Sequence, residues 1–574
     1  MAGLLLGCCA LLLTSSPLRA SDPLPRDPVA DALSAELRRA MGGLRLEGQS
    51  PPYFIAYDLE ERDTVEVETS LGALVGRRRS TTRTLGVEVR VGDPKQDNTN
   101  FQMDWNRRDG IDANEMVLGE DPVAIARSAW LLTDDCYKDA LINLGRKEAV
   151  RKGQRRNNPP PDFAPGAPST GSLPAAPLPD EAPLVARMRE LSRPFRAHPD
   201  IVQSRVTLSW TAGRRLLLDS GGTLVSKPTA ELELRVIATI RAPDGAAMTD
   251  HATWFVSTAA DLPSQEVLLG ETDALIARLH AWRTAHNQTE EYLGPVLFEG
   301  EAAVDLWARL LASEVSGTPP EEEANPYGGS PSGDGGLSLR RRLLPSGWSA
   351  WDDPQAEPTS PAAYTWDDEG QPAARVDLIR EGVVVGLLGS RTPGRSQRES
   401  NGHARGRPGE LKRGLPSYFV VEPPRALSPR KLYASAANAG TEVGLDGVLV
   451  IRRLEDASAT TDASFRSLLL SLNEASILPP PIEMVLRDAN GQETPVRGLR
   501  FTEVDLRSLR GVLAAGSSVQ GVRKLQSNGF VGGPMAILGH PVALSVPAVL
   551  LDELRLAPDT SEVVPLPPVP SPLR

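Results

Sequence analysis

The sequence predicts an α+β protein, with N-terminal α+β units built on antiparallel sheets followed by a β-rich C-terminal domain. Three observations carry that prediction. Apolar and polar residues alternate through Tyr53–Tyr57, Thr64–Thr69, Thr84–Val91, Arg205–Trp210 and Glu231–Ile240, the period of half-buried strands. Stretches with helical periodicity flank these segments. Gly (50) and Pro (51) in 574 residues exceed their usual combined share of roughly 12%, which favours turns over long helical bundles. At roughly 100–200 residues per domain the length implies three or four domains.

Residues 1–20 open on the apolar run Leu4-Leu5-Leu6-Gly7-Cys8-Cys9-Ala10-Leu11-Leu12-Leu13 and continue through Pro17 to Ala20, the shape of a signal peptide. Export to a periplasm or out of the cell is the expectation. Leu5-Leu6-Gly7-Cys8 also has the form of a lipoprotein box, making lipidation at Cys8 the secondary reading. The run is shorter than the roughly 20 residues that span a bilayer, and no other run is long enough, so no transmembrane helix is expected in the mature chain. Removal of Cys8 and Cys9 leaves Cys136 alone, which excludes an internal disulfide; in its helix-like surroundings it reads as a buried, inert thiol.

An N-terminal α+β domain is expected over 21–156. Val29, Leu33, Leu37 and Met41 recur at four-residue steps after Pro28, which predicts an amphipathic helix over 27–41. The strands between Tyr53 and Val91 follow, then helical periodicity over 122–156 that ends in the basic run Arg146–Arg156, read as a solvated helix end. Residues 157–184, dense in Pro, Ala, Ser and Gly, read as a linker or a surface excursion. A middle α+β region is expected over 185–290, with helices at 184–200 and 263–289 around the second set of strands. Residues 291–574 read as the β-rich domain, interrupted by a polar Gly/Pro-rich loop at 316–336.

The net charge of −12, from 62 basic and 74 acidic residues, lacks the positive field that sequence-independent nucleic-acid binding needs, so no nucleic-acid partner is expected. None of the six histidines forms a recognised metal spacing, and His280 and His286, roughly 240° apart round a helix, do not converge and read as surface or packing residues. No P-loop, nucleophile elbow or dinucleotide fingerprint is present. Two loops are chemically dense. Ser390–Gly406 sets Arg391, Asn401, His403 and Arg405 among glycines, where backbone can approach a ligand. Trp351-Asp352-Asp353 and Trp366-Asp367-Asp368-Glu369 bring five acids near two tryptophans; turn capping is the first reading and a metal or amine site the second.

In order along the chain, Tyr292-Leu-Gly-Pro-Val-Leu-Phe-Glu-Gly-Glu-Ala-Ala, Leu344 to Pro354, Asp367 to Gly386, Ser400-Asn-Gly-His403 and Pro495-Val-Arg-Gly498 resemble the C-terminal half of the TldD/PmbA family. The resemblance is firm from about 290 to 555 and looser over Trp130–Ala149 and the 50–91 sheet. It implies a metallopeptidase relative. In the active kind of subunit a helix bearing His-Glu-x-x-x-His, with a later Cys, holds zinc. Aligned on Gly-Pro-Val-Leu, that frame here reads Gly300-Glu301-Ala302-Ala303-Val304-Asp305, so both ligand histidines are missing and only the acid, Glu301, remains. The region around Ser527-Asn-Gly-Phe carries no Cys. Zinc is therefore a cofactor of the family but not one expected here, since imidazole and thiolate are what make such sites tight.

The PmbA-like kind of subunit also lacks the zinc motif and pairs with an active one around a cavity. The reading this implies is a peptide-binding subunit, either a homodimer or the partner of a TldD-like chain, taking an extended peptide by strand addition. Arg391, Asn401, His403 and Arg405 are its expected peptide contacts. The alternative is an active peptidase of unfolded or small peptides with a rebuilt metal site, in which Glu301 and His403 are the catalytic candidates. A weaker third possibility is structural work in the cell envelope.

Overall fold

The computed structural model describes residues 27–102, 109–152, 159–178, 180–319, 322–323, 337–456, 478–525 and 539–560. The signal-peptide segment 1–20, most of the 316–336 loop and the stretch around Ser527 lie outside them. The first helix, α1 (Pro28–Gly43), starts where Asp27 accepts from the Val29 and Ala30 N–H groups at 3.0 and 3.2 Å, leaving Pro28 in the first turn, where its missing N–H costs nothing. Val29, Leu33 and Leu37 are buried and Met41 packs beside them, as the spacing predicts.

Strands β1 (Pro52–Ser70) and β2 (Ala73–Asp93) form one long antiparallel hairpin. Its two-residue turn places Leu71 and Gly72 at φ 50° and 77°, the mirror-image turn whose twist suits paired strands. The sequence leaves a gap over Asp58–Asp63, yet β1 runs straight through it. Ladder neighbours explain this: Glu61 lies opposite Arg83 on one side and Arg214 on the other, and Arg83 Nε donates to its carboxylate at 2.7 Å.

After β3 (Ile111–Glu115), on the edge of β2, helix α2 (Pro122–Lys152) crosses the hairpin. The basic helix end is solvated in part: Arg146 and Lys152 are exposed, whereas Lys147 and Arg151 turn inward. Lys147 is fully buried and its ammonium sits 2.9 Å from Asp162, which Arg151 also reaches at 3.1 Å. Asp162 belongs to the Pro-rich segment, whose described residues lie along the protein as an excursion: Phe163 packs on Phe54 with ring centroids 4.8 Å apart and planes tilted by 44°, and β4 (Thr170–Ser172) adds to the sheet beside Leu224–Ser226.

Helix α3 (Ala182–Ser192) leads to β5 (Ile201–Asp219), β6 (Leu224–Arg241) and β7 (Ala247–Val256), followed by α4 (Gln265–Thr284). β5 pairs antiparallel with β1 from Ala56↔Asp219 to Thr69↔Val206, so the N-terminal and middle regions share one eight-stranded sheet. Odd-numbered residues of β1 (Ile55, Tyr57, Leu59, Val65, Val67) and even-numbered residues of β5 and β6 (Leu208, Trp210, Leu232, Leu234, Val236) pack against helices α1 to α4. The opposite face is polar.

The C-terminal domain holds a twelve-stranded mixed sheet. Its central strand β8 (Tyr292–Phe298) lies parallel to β12 (Gly447–Leu454) and antiparallel to β15 (His540–Pro558). On the β15 side follow β11 (Tyr418–Glu422), β9 (Ser349–Asp352) and β10 (Val376–Arg380); β13 (Pro481–Asp488) lies beyond β12, and β14 (Val512–Leu525) folds back on β15. Side chains of β8 alternate between two layers. Val296 and Phe298 meet α5 (Gly300–Trp307), and Leu297 meets α6 (Pro429–Glu442), a helix that no sequence expectation covered. Trp307 anchors α5, fully buried with its indole N–H donating to the Pro547 carbonyl at 2.9 Å. Among the described residues no helix is long and apolar enough to cross a membrane.

Candidate functional site

The polar face of the N-terminal sheet looks onto a cavity of about 820 Å³ closed on the other side by the C-terminal domain. Strand alternation builds it. Even-numbered residues of β1 (Glu60, Arg62, Thr64, Glu66) and odd-numbered residues of β5 and β6 (Arg205, Thr207, Ser209, Thr211, Glu231, Glu233, Arg235) are those the apolar core does not use, and all line the cavity. Asp368 and Arg405 contribute from the two dense loops, Tyr364 and Arg407 from the residues just beside them, and Lys524 and His540 from β14 and β15. Lys524 lies across the space to the sheet, 3.2 Å from Glu233. Burial holds His540 well below the ordinary imidazole range, so its ring is neutral, and its Nε2 has no hydrogen-bond partner among the described residues.

The two dense loops meet at one end of this cavity. Asp367 Oδ1 accepts from the Glu369 and Gln371 N–H groups and Oδ2 from the Ala404 N–H, all at 2.8–3.0 Å. Its neighbour Asp368 turns the other way, 3.0 Å from Arg215, 2.8 Å from Lys227 and 3.7 Å from Arg405. Burial raises the pKa of Asp368, but the three cations outweigh it and hold the carboxyl well below the usual range. Asp367 and Glu369 have less compensation; burial pushes them up, to about 6 and about 8.

Of the residues named from sequence, Arg405 lines the large cavity, with its guanidinium 4.9 Å over the Tyr364 ring and Nη1 without a partner among the described residues. Arg391 lies against a smaller hollow beside Glu88, Asp219 and Glu369; it pairs with Asp219 at 2.8 Å and covers the Phe54 and Phe163 rings. Asn401 and His403 stand in the wall. The Asn401 amide donates to the Leu387 carbonyl and accepts from the Gly389 N–H, both at 2.8 Å. His403 is fully buried, with Nε2 3.0 Å from Asp352 and Nδ1 3.0 Å from the Asn401 carbonyl, so both ring nitrogens are engaged.

The frame Gly300–Asp305 forms the first turns of α5, with Gly300 at φ 58°. Glu301 Oε1 accepts from Arg453 Nη1 at 2.7 Å, and Arg523 forks onto Asp305 through Nε at 2.5 Å and Nη2 at 3.1 Å. Burial raises the Glu301 pKa, but Arg453 and Arg523 override it and bring it down to about 2. A carboxylate that acidic is a weak general base at neutral pH. The donor chemistry does not fit zinc: two carboxylates already held by guanidinium groups offer neither the imidazole nor the thiolate that tight sites use. Cys136 is no substitute, buried on the sheet-facing side of α2 with its thiol 3.8 Å from the Val87 carbonyl and its pKa pushed well up by burial. Arg453 also binds the His251 carbonyl, and His251 lies 3.8 Å from Asp456, which stands 3.7 Å from the cavity residue Arg235.

Sequence reasoning did not single out the strand residues that form most of the lining, nor Arg453 and Arg523. The signal was present in Glu231-Leu-Glu-Leu-Arg235, where charge occupies the alternate positions of an otherwise apolar strand, and in the charged run Glu60-Glu61-Arg62. Only pairing the strands shows that these charges face one space.

A polar-faced sheet closed over a cavity by a mixed sheet defines the structural class, a two-sheet, cavity-enclosing protein. Solved structures share it: a proposed modulator of DNA gyrase from Thermotoga maritima MSB8 (15% identity, TM-score 0.56, covering 92% of this chain and 99% of that one), TldE from Thermococcus kodakarensis (11%, 0.54, 92% and 100%) and a second proposed DNA gyrase modulator, from Bacteroides thetaiotaomicron VPI-5482 (10%, 0.55, 92% and 99%). No curated protein matches. Residues 289–455 match the family model of the PmbA/TldA metallopeptidase C-terminal domain. Over that domain the chain is similar to the metallopeptidase-related TldD/PmbA family.

Proposed function

We propose that this chain is a non-zinc, peptide-binding subunit of the TldD/PmbA family, which takes an extended peptide into the cavity between its two sheets. The observation that carries the reading is the pairing of Glu301 with Arg453 and of Asp305 with Arg523. Internal cations stand where the family's metal chemistry would act, and no other nucleophile and base are assembled at the cavity among the described residues. The lining suits a polypeptide: hydroxyls and charges of both signs alternate along three neighbouring strands, matching the spacing of an extended chain. In this reading Arg405 meets the peptide directly, Arg391 supports the rim, and Asn401 and His403 hold the wall in shape. The working form is a homodimer or a heterodimer with a TldD-like subunit, exported by the segment 1–20.

The test is a titration of fluorescein-labelled casein peptides into the untagged chain, with product analysis in parallel. Saturable binding without cleavage is expected, and Ser209→Trp, which fills the cavity from β5, should weaken it at least tenfold while the melting temperature holds. Cleavage that zinc supports and a chelator stops would establish the active-peptidase alternative instead.

A further inference from the structure

We propose a second, independent site on the outer side of the N-terminal sheet: a surface site for a divalent transition ion of the zinc class, formed by His198, Asp200 and His280. The three side chains come from two segments about eighty residues apart. His198 caps the short 3₁₀ turn Pro194–Ala197 that follows α3, Asp200 directly precedes β5, and His280 lies in the C-terminal part of α4. One ligand atom from each lies within 4.8 Å of the other two.

His280 Nε2 stands 3.0 Å from Asp200 Oδ2, and the two imidazole rings have centroids 5.3 Å apart. Bonds of about 2.1 Å in a tetrahedral shell set neighbouring ligand atoms about 3.4 Å apart, so His280 and Asp200 are nearly at that separation and His198 needs only a small swing. That swing is unopposed. Among the described residues the His198 ring makes no hydrogen bond, while its backbone is fixed by the His198 N–H to the Phe195 carbonyl (3.2 Å) and the Ile201 N–H to the His198 carbonyl (3.0 Å). Arg283 also reaches Asp200 Oδ2, at 3.0 Å; it is 38% exposed, so its guanidinium can turn to solvent when an ion takes that oxygen.

All three ligands are partly exposed, so an ion can enter from solvent and water can complete its shell. Two imidazole nitrogens and one carboxylate select zinc, nickel or copper over magnesium or calcium, which take all-oxygen shells. Bound there, the ion would join the α3-to-β5 connection to α4 and clamp the outer helical layer onto the sheet. This site shares no residue with the cavity or with the 300–305 frame, so it stands whether or not the peptide-binding reading does.

The experiment is an isothermal titration of zinc chloride into the untagged full chain in chelator-free buffer, repeated on His198→Ala and Asp200→Asn. One zinc per chain is expected, with affinity at least tenfold weaker in both variants and a zinc-dependent rise in melting temperature seen in the wild type alone. His198→Ala removes no side-chain hydrogen bond among the described residues, and its melting temperature without zinc is expected to match the wild type. Unchanged zinc affinity in that variant, or absence of binding by the wild type, would overturn the proposal.

Discussion

Two acidic clusters, one in the run Asp367-Asp368-Glu369 and one on α5 at Glu301 and Asp305, respond to the protein in opposite ways. In the first, burial is the larger influence wherever cations are lacking: Asp367 and Glu369 are pushed up, to about 6 and about 8, and only Asp368, facing Arg215, Lys227 and Arg405, is held down. On α5 two guanidinium groups reach the acids and Glu301 falls to about 2. Cation supply, not residue type, decides which carboxylates stay charged. The difference separates a cluster that organises a buried loop junction from one whose charge is already spent on arginine.

The comparison breaks most sharply at Asp368. Replacing it with alanine leaves three cations at the junction short of an anion, and stability measured by urea denaturation should fall by about 3–5 kcal/mol. His403→Ala, which strips partners from Asp352 and Asn401 in the same wall, should cost about 1–3 kcal/mol; a variant as stable as the wild type but with weakened peptide affinity would instead make the imidazole a direct contact.

The pH dependence sharpens the contrast. A carboxyl raised to about 8 keeps its proton in the native state while the unfolded chain loses it near 4.5, so Glu369 contributes stability at low pH that is lost as pH rises from about 4.5 to about 8. Glu369→Gln should therefore flatten the decline between pH 5 and 8, by on the order of 4 kcal/mol. Glu301 has the opposite sign: its contribution is present above 4.5 and lost as pH falls toward about 2. Because its side chain is 42% exposed, Glu301→Gln at pH 7 should change stability by less than about 1 kcal/mol. It should also leave peptide affinity within twofold; a loss of hydrolysis in that variant would restore Glu301 as a catalytic base.

Local pattern made much of this architecture legible. Helix α1 follows from Pro28 and the four-residue steps, and the half-buried strands follow from alternation. What the pattern could not convey was partnership. Nothing local announces that β1 pairs with β5 across about 150 residues, and that pairing is what turns Glu60, Arg62, Arg205 and Ser209 into one lining. The candidate site was legible as two dense loops, and Asp367, Asp368, Ala404 and Arg405 do meet. The arginines on α5's acids were not, because Arg453 and Arg523 arrive from strands more than 150 residues downstream. The sequence sets His280 near His286 without convergence, whereas space sets its ring 5.3 Å from that of His198.

The excursion at 157–184 carries a consequence for the unfolded chain. It is held to the folded protein at separate points: Phe163 against the Arg90 and Arg391 guanidinium groups at 4.1 and 4.6 Å, Asp162 against Lys147, the Ala164 N–H on the Arg391 carbonyl at 2.9 Å, and Thr170–Ser172 paired with Leu224–Ser226. A Gly/Ser stretch of equal length would surrender far more conformational freedom on docking than such contacts return. Proline surrenders little, because its backbone torsion is already restricted before folding begins. The composition that reads as a spacer is thus what lets a few contacts hold a long segment across the junction of the two domains.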